Sequence, residues 1–235
     1  FGAYLDALRT QAGIPGLSAA IVGDQDILWE RAFGRQDLER VIPTRTDTPF
    51  HLDEVTQVLT ASLVLRCVED GYLSLDDRLE QFSPGGSEAN ATLREILAHT
   101  SSAPVFRYRP ERIELLGPAV AACSGTSFRE KLADGLHWAA MMDSVPGADV
   151  VQLTPSSTGG FSAPTLERYG RVLTRLAAPY AVDQRGRASL SSYGATTLTP
   201  ASGVVSTVRD VAQFALALRQ GLIVRPETLA QAWRP

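Results

Sequence analysis

Apolar residues in the first stretch of the chain recur at helical spacing. Tyr4, Leu5 and Leu8 share one face of a helix expected over 3–12, and Gly13 stands just past its end. Two apolar runs follow, "SAAIV" and "ILWERAF". They flank the turn "GDQD", which predicts a β-hairpin. "LERVIPTRTDTPF" carries prolines and predicts irregular chain. The pattern then changes. From about Glu54 to Asp70 the chain is apolar almost all round, apart from its first turn and Arg66, and Gly71 ends it. A helix of that kind belongs in a core.

Amphipathic segments continue beyond it. "TLREILAHTSS" predicts a helix with an apolar stripe at Leu93, Ile96 and Leu97. Residues 111–122 and 126–140 predict two more, and "TLERYGRVLTRLA" another. "GADVVQLTPSSTGGFSAP" and "APYAVDQRGRASLSSYGATTLTP" are expected as connections without regular structure. "STVRDVAQFALALRQG" predicts a helix capped by Ser206 or Thr207 and closed by Gly221. "RPETLAQAW" starts one more. Strands at the front and helices after them point to an α+β or α/β fold.

Composition narrows the function classes. At 235 residues and 44% hydrophobic, the chain can bury a core without staples. A net charge of -4 argues against a nucleic-acid surface. No run of about 20 apolar residues predicts a membrane span, and no signal peptide is present in these residues. His51, His99 and His137 form no metal-ligand spacing, so neither metal nor cofactor is expected. Cys67 lies in the apolar helix and reads as a small core residue, with a disulfide to Cys123 as the alternative. Lys131 is the only lysine.

Five separated segments, in order, resemble the serine β-lactamase-like family, which includes class C β-lactamases, D-alanyl-D-alanine carboxypeptidases and related esterases. "IPGLSAAIVGDQDILWERAFGRQDLE" resembles its opening hairpin, and "DTPFHLDEVTQVLTASLVLRCVEDGYLSLDDRL" its nucleophile helix. "TLREILAHTSS", "SFREKLADGLHWAAMMDS" and "TPASGVVSTVRDVAQFALALRQG" resemble its "HTSG" segment, the segment ending in "PLGM" and a late "GGLVST-x-RDLARF" helix. The resemblance implies a β-lactamase/transpeptidase-like α+β fold, with a helical subdomain beside an antiparallel sheet. It implies one domain over 1–235 that is incomplete at its C-terminus, because the family's late sheet strands would lie beyond Pro235. It also implies a periplasmic or extracellular location.

The family's chemistry needs Ser-x-x-Lys at the start of the buried helix. That spacing puts nucleophile and proton acceptor one turn apart. Aligned on the resemblance, the serine position falls on Glu54 and the lysine position on Gln57. A carboxylate is a poor nucleophile toward an amide or ester, and a glutamine amide cannot accept the proton. Phe128 stands three residues before Lys131, so Ser-x-x-Lys occurs nowhere in the chain. "FRYRPERIELLG" matches the family's second motif only at Tyr108. On the residues alone, Tyr108 reads as a partly buried loop tyrosine. Ser157-Thr158-Gly159 imitates the third motif, Lys-Thr-Gly, but precedes "ASGVVSTVRD" instead of following it, and reads as loop.

Other routes are absent from the sequence: Gly-x-Ser-x-Gly, His-Glu-x-x-His, the P-loop and Gly-x-Gly-x-x-Gly. Adjacent Asp53 and Glu54 do not face one another on a helix and make a poor catalytic pair. Asp53 is expected as the helix N-cap, with Glu54 in the first turn, and His99 as a turn histidine bonded to backbone. The expectation is a non-catalytic β-lactamase-like or penicillin-binding-like domain with a binding or scaffold role. Glu54, Gln57 and Tyr108 are its vestigial pocket positions. The alternative is a hydrolase of that family with an unrecognised catalytic arrangement. Expected partners are a peptide-like small molecule or a partner chain that completes the sheet; for that sheet, additional chain and a remodelled sheet are the other outcomes.

Overall fold

A computed structural model describes residues 1–86, 88–101, 105–152, 160–194 and 196–233. Helix α1 spans Gly2–Gln11 and ends at Gly13, whose φ of +70° is the left-handed conformation glycine accepts. The expected apolar face is not its covered face. Tyr4 and Leu8 are exposed, and α1 buries no residue fully. Gly2, Leu5, Asp6 and Arg9 are partly covered instead. On the covered side Arg9 bonds Asp6 at 2.7 Å and the Ile14 carbonyl at 2.8 Å, and Phe1 packs edge-on against Trp29.

Strands β1 (Gly16–Val22) and β2 (Ile27–Asp37) form the expected antiparallel hairpin, in register Gly16↔Gly34 to Ile21↔Trp29. A two-residue β3 (Ile42–Pro43) pairs with the end of β2, so the sheet order is β1-β2-β3. The predicted irregular stretch therefore holds this strand and also β4 (Phe50–His51).

Helix α2 (Thr56–Glu69) runs through the main core. Around it stand α3 (Leu93–Leu97), α4 (Gly117–Ser124), α5 (Phe128–Trp138), α7 (Val208–Arg219) and α8 (Pro226–Ala232). Val64, Leu93, Ile96, Leu116 and Val120 are fully buried there. Capping boxes start α3 (Thr92 with Glu95) and α5 (Ser127 with Glu130). The helix expected over 111–122 divides into a 3₁₀ segment, Pro110–Leu116, followed by α4. Pro118 lacks the N–H that an unbroken helix would need. Cys67 on α2 and Cys123 on α4 form a disulfide, which decides between the two readings of these cysteines.

A smaller core gathers Val145, Val150, Tyr169, Val172 and Val205 under α6 (Ala163–Leu173). The stretch after α6, expected as plain loop, contains a second hairpin: β5 (Tyr180–Val182) with β6 (Ala188–Leu190). Its turn is held by the Asp183 carboxylate, which accepts the N–H of Arg185 and Arg187 at 2.8 and 3.0 Å. Strand β7 (Val205–Ser206) pairs antiparallel with β4 and leads into α7, where Thr207 is the N-cap. This mixture of helices and antiparallel sheet is the expected fold class. No helix among the described residues is long and apolar enough to cross a membrane.

Candidate functional site

The start of α2 is fixed from both sides. On one side β4 pairs with β7, and the Leu52 N–H donates to the Val204 carbonyl at 2.9 Å. On the other, Thr56 Oγ1 accepts the Val204 N–H, and Thr60 Oγ1 donates to the Pro200 carbonyl at 2.7 Å. Between them the chain must leave an extended strand and enter a helix within a few residues. Asp53 makes that corner at φ +42°, a left-handed conformation that aspartate tolerates better than most residues. Asp53, Glu54 and Val55 then form a 3₁₀ turn, and α2 begins at Thr56. The expected capping role of Asp53 is thereby corrected: Val55 precedes α2, with no side-chain cap, because Asp53 is committed to the corner.

Tyr108 reaches this corner from the segment after α3. His99 closes α3 in a turn at φ +54° and holds the segment at two points. Its carbonyl accepts the Arg107 N–H at 3.0 Å, and its Nδ1 accepts the Arg109 N–H at 3.3 Å. Tyr108 lies between these ties, its ring 5.0 Å from the His99 ring. Buried Arg112 steadies the approach, bonding Ser101 Oγ at 2.6 Å and Glu88 at 2.9 Å. The sequence marks His99 as a turn histidine; the fold makes it the clamp that positions Tyr108.

Glu54, Gln57 and Tyr108 come together here. The Tyr108 hydroxyl donates to Glu54 Oε2 at 2.7 Å and accepts from Gln57 Nε2 at 2.9 Å. Gln57 is buried, whereas Tyr108 is half exposed. The hydrogen bond to Glu54, then burial, raises the Tyr108 pKa above the usual tyrosine value. The hydroxyl therefore keeps its proton at neutral pH and serves as a donor. Burial lowers the His99 pKa, so the imidazole is neutral. Lys131 sits elsewhere, on α5, with its ammonium over the Trp138 ring. Ser157, Thr158 and Gly159 lie outside the described residues. No cluster of His, Cys, Asp and Glu suited to a metal occurs among the described residues.

The family model described as Beta-lactamase matches residues 1–235. The chain belongs to the β-lactamase family. Penicillin-binding protein 4 of Amycolatopsis lactamdurans is 37% identical over 102 residues, covering 41% of this β-lactamase-family chain and 26% of that protein. Esterase EstB of Burkholderia gladioli is 37% identical over 110 residues, 42% of this chain and 28% of that one. These matches thus span between a quarter and a third of each relative. Among solved structures, the octameric penicillin-binding protein homologue from Pyrococcus abyssi superposes with a TM-score of 0.79 at 20% identity. The superposition covers 97% of this chain and 58% of that one. The penicillin-binding protein from Bacillus halodurans gives 0.77 at 18% identity, covering 99% and 77%. At such identities the structural likeness speaks for the fold.

A second polar cluster of the β-lactamase-family chain was not legible as such. Asp210 on α7 is 5% exposed, and its Oδ2 accepts from Ser144 Oγ at 2.7 Å and the Asp143 N–H at 2.8 Å. Ser144 Oγ also lies 2.7 Å from Ser206 Oγ. Burial pushes the Asp210 pKa up to about 6. The only sequence signal was Thr207-x-x-Asp210, a helix-start pattern. Its capping bond is made, with Thr207 Oγ1 accepting the Asp210 N–H at 3.1 Å.

Proposed function

We propose that this chain is a non-catalytic β-lactamase-like or penicillin-binding-like domain with a binding or scaffold role, in which Glu54 and Gln57 stand where the family's Ser-x-x-Lys would stand. The observation that carries this reading is the closed hydrogen-bond triad of Glu54, Tyr108 and Gln57. In an acyl-transfer site the nucleophile needs a free proton acceptor beside it. Here the tyrosine proton is already committed to a carboxylate, and the glutamine amide is a donor to the same hydroxyl. None of the three groups is both nucleophilic and activated.

Magnitude supports the reading. Loss of a serine nucleophile or its base costs on the order of a million-fold in turnover, with only weak catalysis left from binding groups. The names of the relatives supply the ligands to try, penicillin and short esters. The scaffold side of the proposal rests on β1. It pairs with β2 alone among the described residues, and the proposal places a further strand, of a partner chain or of additional chain, along its other edge.

The test is turnover of a chromogenic β-lactam and of a short-chain nitrophenyl ester by purified protein. The expected rate equals the buffer rate, and Glu54→Ala changes nothing. Turnover that disappears in Glu54→Ala would establish an unrecognised catalytic arrangement instead.

A further inference from the structure

The chain holds a single asparagine, Asn90, and it stands in the sequence Asn90-Ala91-Thr92. Asparagine, any residue but proline, then serine or threonine is the acceptor pattern for an N-linked oligosaccharide. The pattern carries weight only on the surface of a chain that folds in a secretory, oxidising compartment.

The fold puts Asn90 on the surface. It occupies a turn just before α3, closed by the Ala91 N–H on the Glu88 carbonyl at 2.8 Å. The turn is fastened to the 3₁₀ segment Leu79–Gln81. There the Leu79 N–H donates to the Ala91 carbonyl and the Glu80 N–H to the Ala89 carbonyl, both at 2.9 Å. Ala91 is buried, whereas Asn90 is exposed. The Asn90 side-chain amide is used at one end only. Its Oδ1 accepts from Arg78 Nη1 at 3.2 Å, and its Nδ2 bonds nothing among the described residues. Nδ2 is the atom that an N-linked sugar occupies. After substitution it keeps one N–H and Oδ1 keeps Arg78, so the turn and the start of α3 stand unchanged.

The disulfide between Cys67 and Cys123 bears on the compartment. Such bonds form and persist in oxidising compartments and are rare where thiols are kept reduced. Thr92 sets the order of events. Its Oγ1 accepts the Glu95 N–H at 3.2 Å and donates to Glu95 Oε2 at 3.1 Å, as the cap of α3. The hydroxyl of the acceptor pattern is thus occupied in the folded chain, and a transferase must read it before α3 closes.

We propose that Asn90 is an N-glycosylation site, modified while the chain folds. The donor is an oligosaccharide carried on a lipid pyrophosphate. Asn90 Nδ2 attacks C1 of the first sugar, and the new N–C bond replaces the C–O bond to the pyrophosphate. One amide proton passes to a base of the transferase, and the lipid pyrophosphate leaves with the bonding pair. The proposal is independent of the chemistry at the α2 corner, since Glu54, Gln57 and Tyr108 take no part in it.

The test is peptide mapping by mass spectrometry of the protein purified from its native source, before and after treatment with an N-glycan amidase. The peptide bearing Asn90 is expected to carry one oligosaccharide, which the amidase removes while converting the asparagine to aspartate. No other asparagine exists in the chain, so the intact mass falls by that one oligosaccharide and no more. Produced in the same source, Asn90→Gln and Thr92→Ala are unmodified. Thr92→Ser keeps the sugar, because serine retains both the hydroxyl and the helix cap. A native protein unmodified at Asn90, a sugar that survives in Thr92→Ala, or one that is lost in Thr92→Ser overturns the proposal.

Discussion

Helix α2 and the turn that precedes it are consecutive in sequence but belong to different regimes. The body of the helix is core: Val64 is fully buried, Leu59, Leu63 and Leu65 nearly so, and Cys67 is bonded to α4. The preceding turn, Asp53–Val55, lies at the surface, with Glu54 exposed and Val55 half exposed. Packing constrains the body residue by residue, since the loss of even a methylene is felt in a dense interior. The turn is held instead by hydrogen bonds, those of its backbone and of Thr56 to Val204 and those that join Glu54, Tyr108 and Gln57, around a corner at Asp53. On the proposed reading, the family fold persists in the body while the chemistry of the turn is exchanged.

The largest effect that would sharpen this contrast is in the body. Replacing both Cys67 and Cys123 by serine removes a cross-link spanning a sequence separation of 56. Loop-closure entropy sets the expected loss at about 4 kcal/mol, read as a fall in the urea midpoint. A change below about 1 kcal/mol would mean that α2 is held without the bridge.

The next effect concerns a buried carboxylate. Asp210 is inside the protein, and its folded pKa of about 6 lies above the ordinary carboxylate value of 3.8. A carboxyl with a raised folded pKa binds its proton more tightly in the folded state. Its contribution is therefore most favourable below about pH 4 and is lost as pH rises toward about 6. The expected loss is on the order of 3 kcal/mol. Asp210→Asn cannot titrate, so its stability relative to wild type should rise across that window. A difference that stays flat with pH would show that Asp210 is ionised in the fold without penalty.

The smallest effect belongs to the turn. Tyr108→Phe removes both bonds of the triad, yet the site is half exposed, so stability should fall by less than about 1 kcal/mol. In Glu54→Gln, the Tyr108 pKa should drop back toward 10, followed by NMR of labelled tyrosine. A loss of several kcal/mol in Tyr108→Phe would place the triad with the core and erase the contrast between turn and body.

Legibility in the sequence follows the same division. The hairpin of β1 and β2, the buried run of α2 and the capped start of α7 were readable because periodicity and local capping determine them. Three features were not. The rotation of α1 leaves Tyr4 and Leu8 exposed and turns Arg9 toward the Ile14 carbonyl, a tertiary contact that no helical period announces. The β5–β6 hairpin hides in a polar stretch whose only strong marker is the Asp183 turn. The corner at Asp53 depends on β4 pairing with β7 across more than half the chain, and no local pattern announces that. For the site, the sequence offered Glu54, Gln57 and Tyr108 as positions. That one hydroxyl joins all three, and that His99 clamps the segment bearing it, are facts of geometry.

The most direct measurement is intact mass after incubation with benzylpenicillin and, separately, with a fluorophosphonate. The proposed non-catalytic reading predicts an unmodified mass in both cases, because it takes Glu54 and Gln57 as leaving no activated nucleophile at the start of α2. A stoichiometric adduct that maps to the α2 corner or to Tyr108, and is lost in Glu54→Ala, would contradict it.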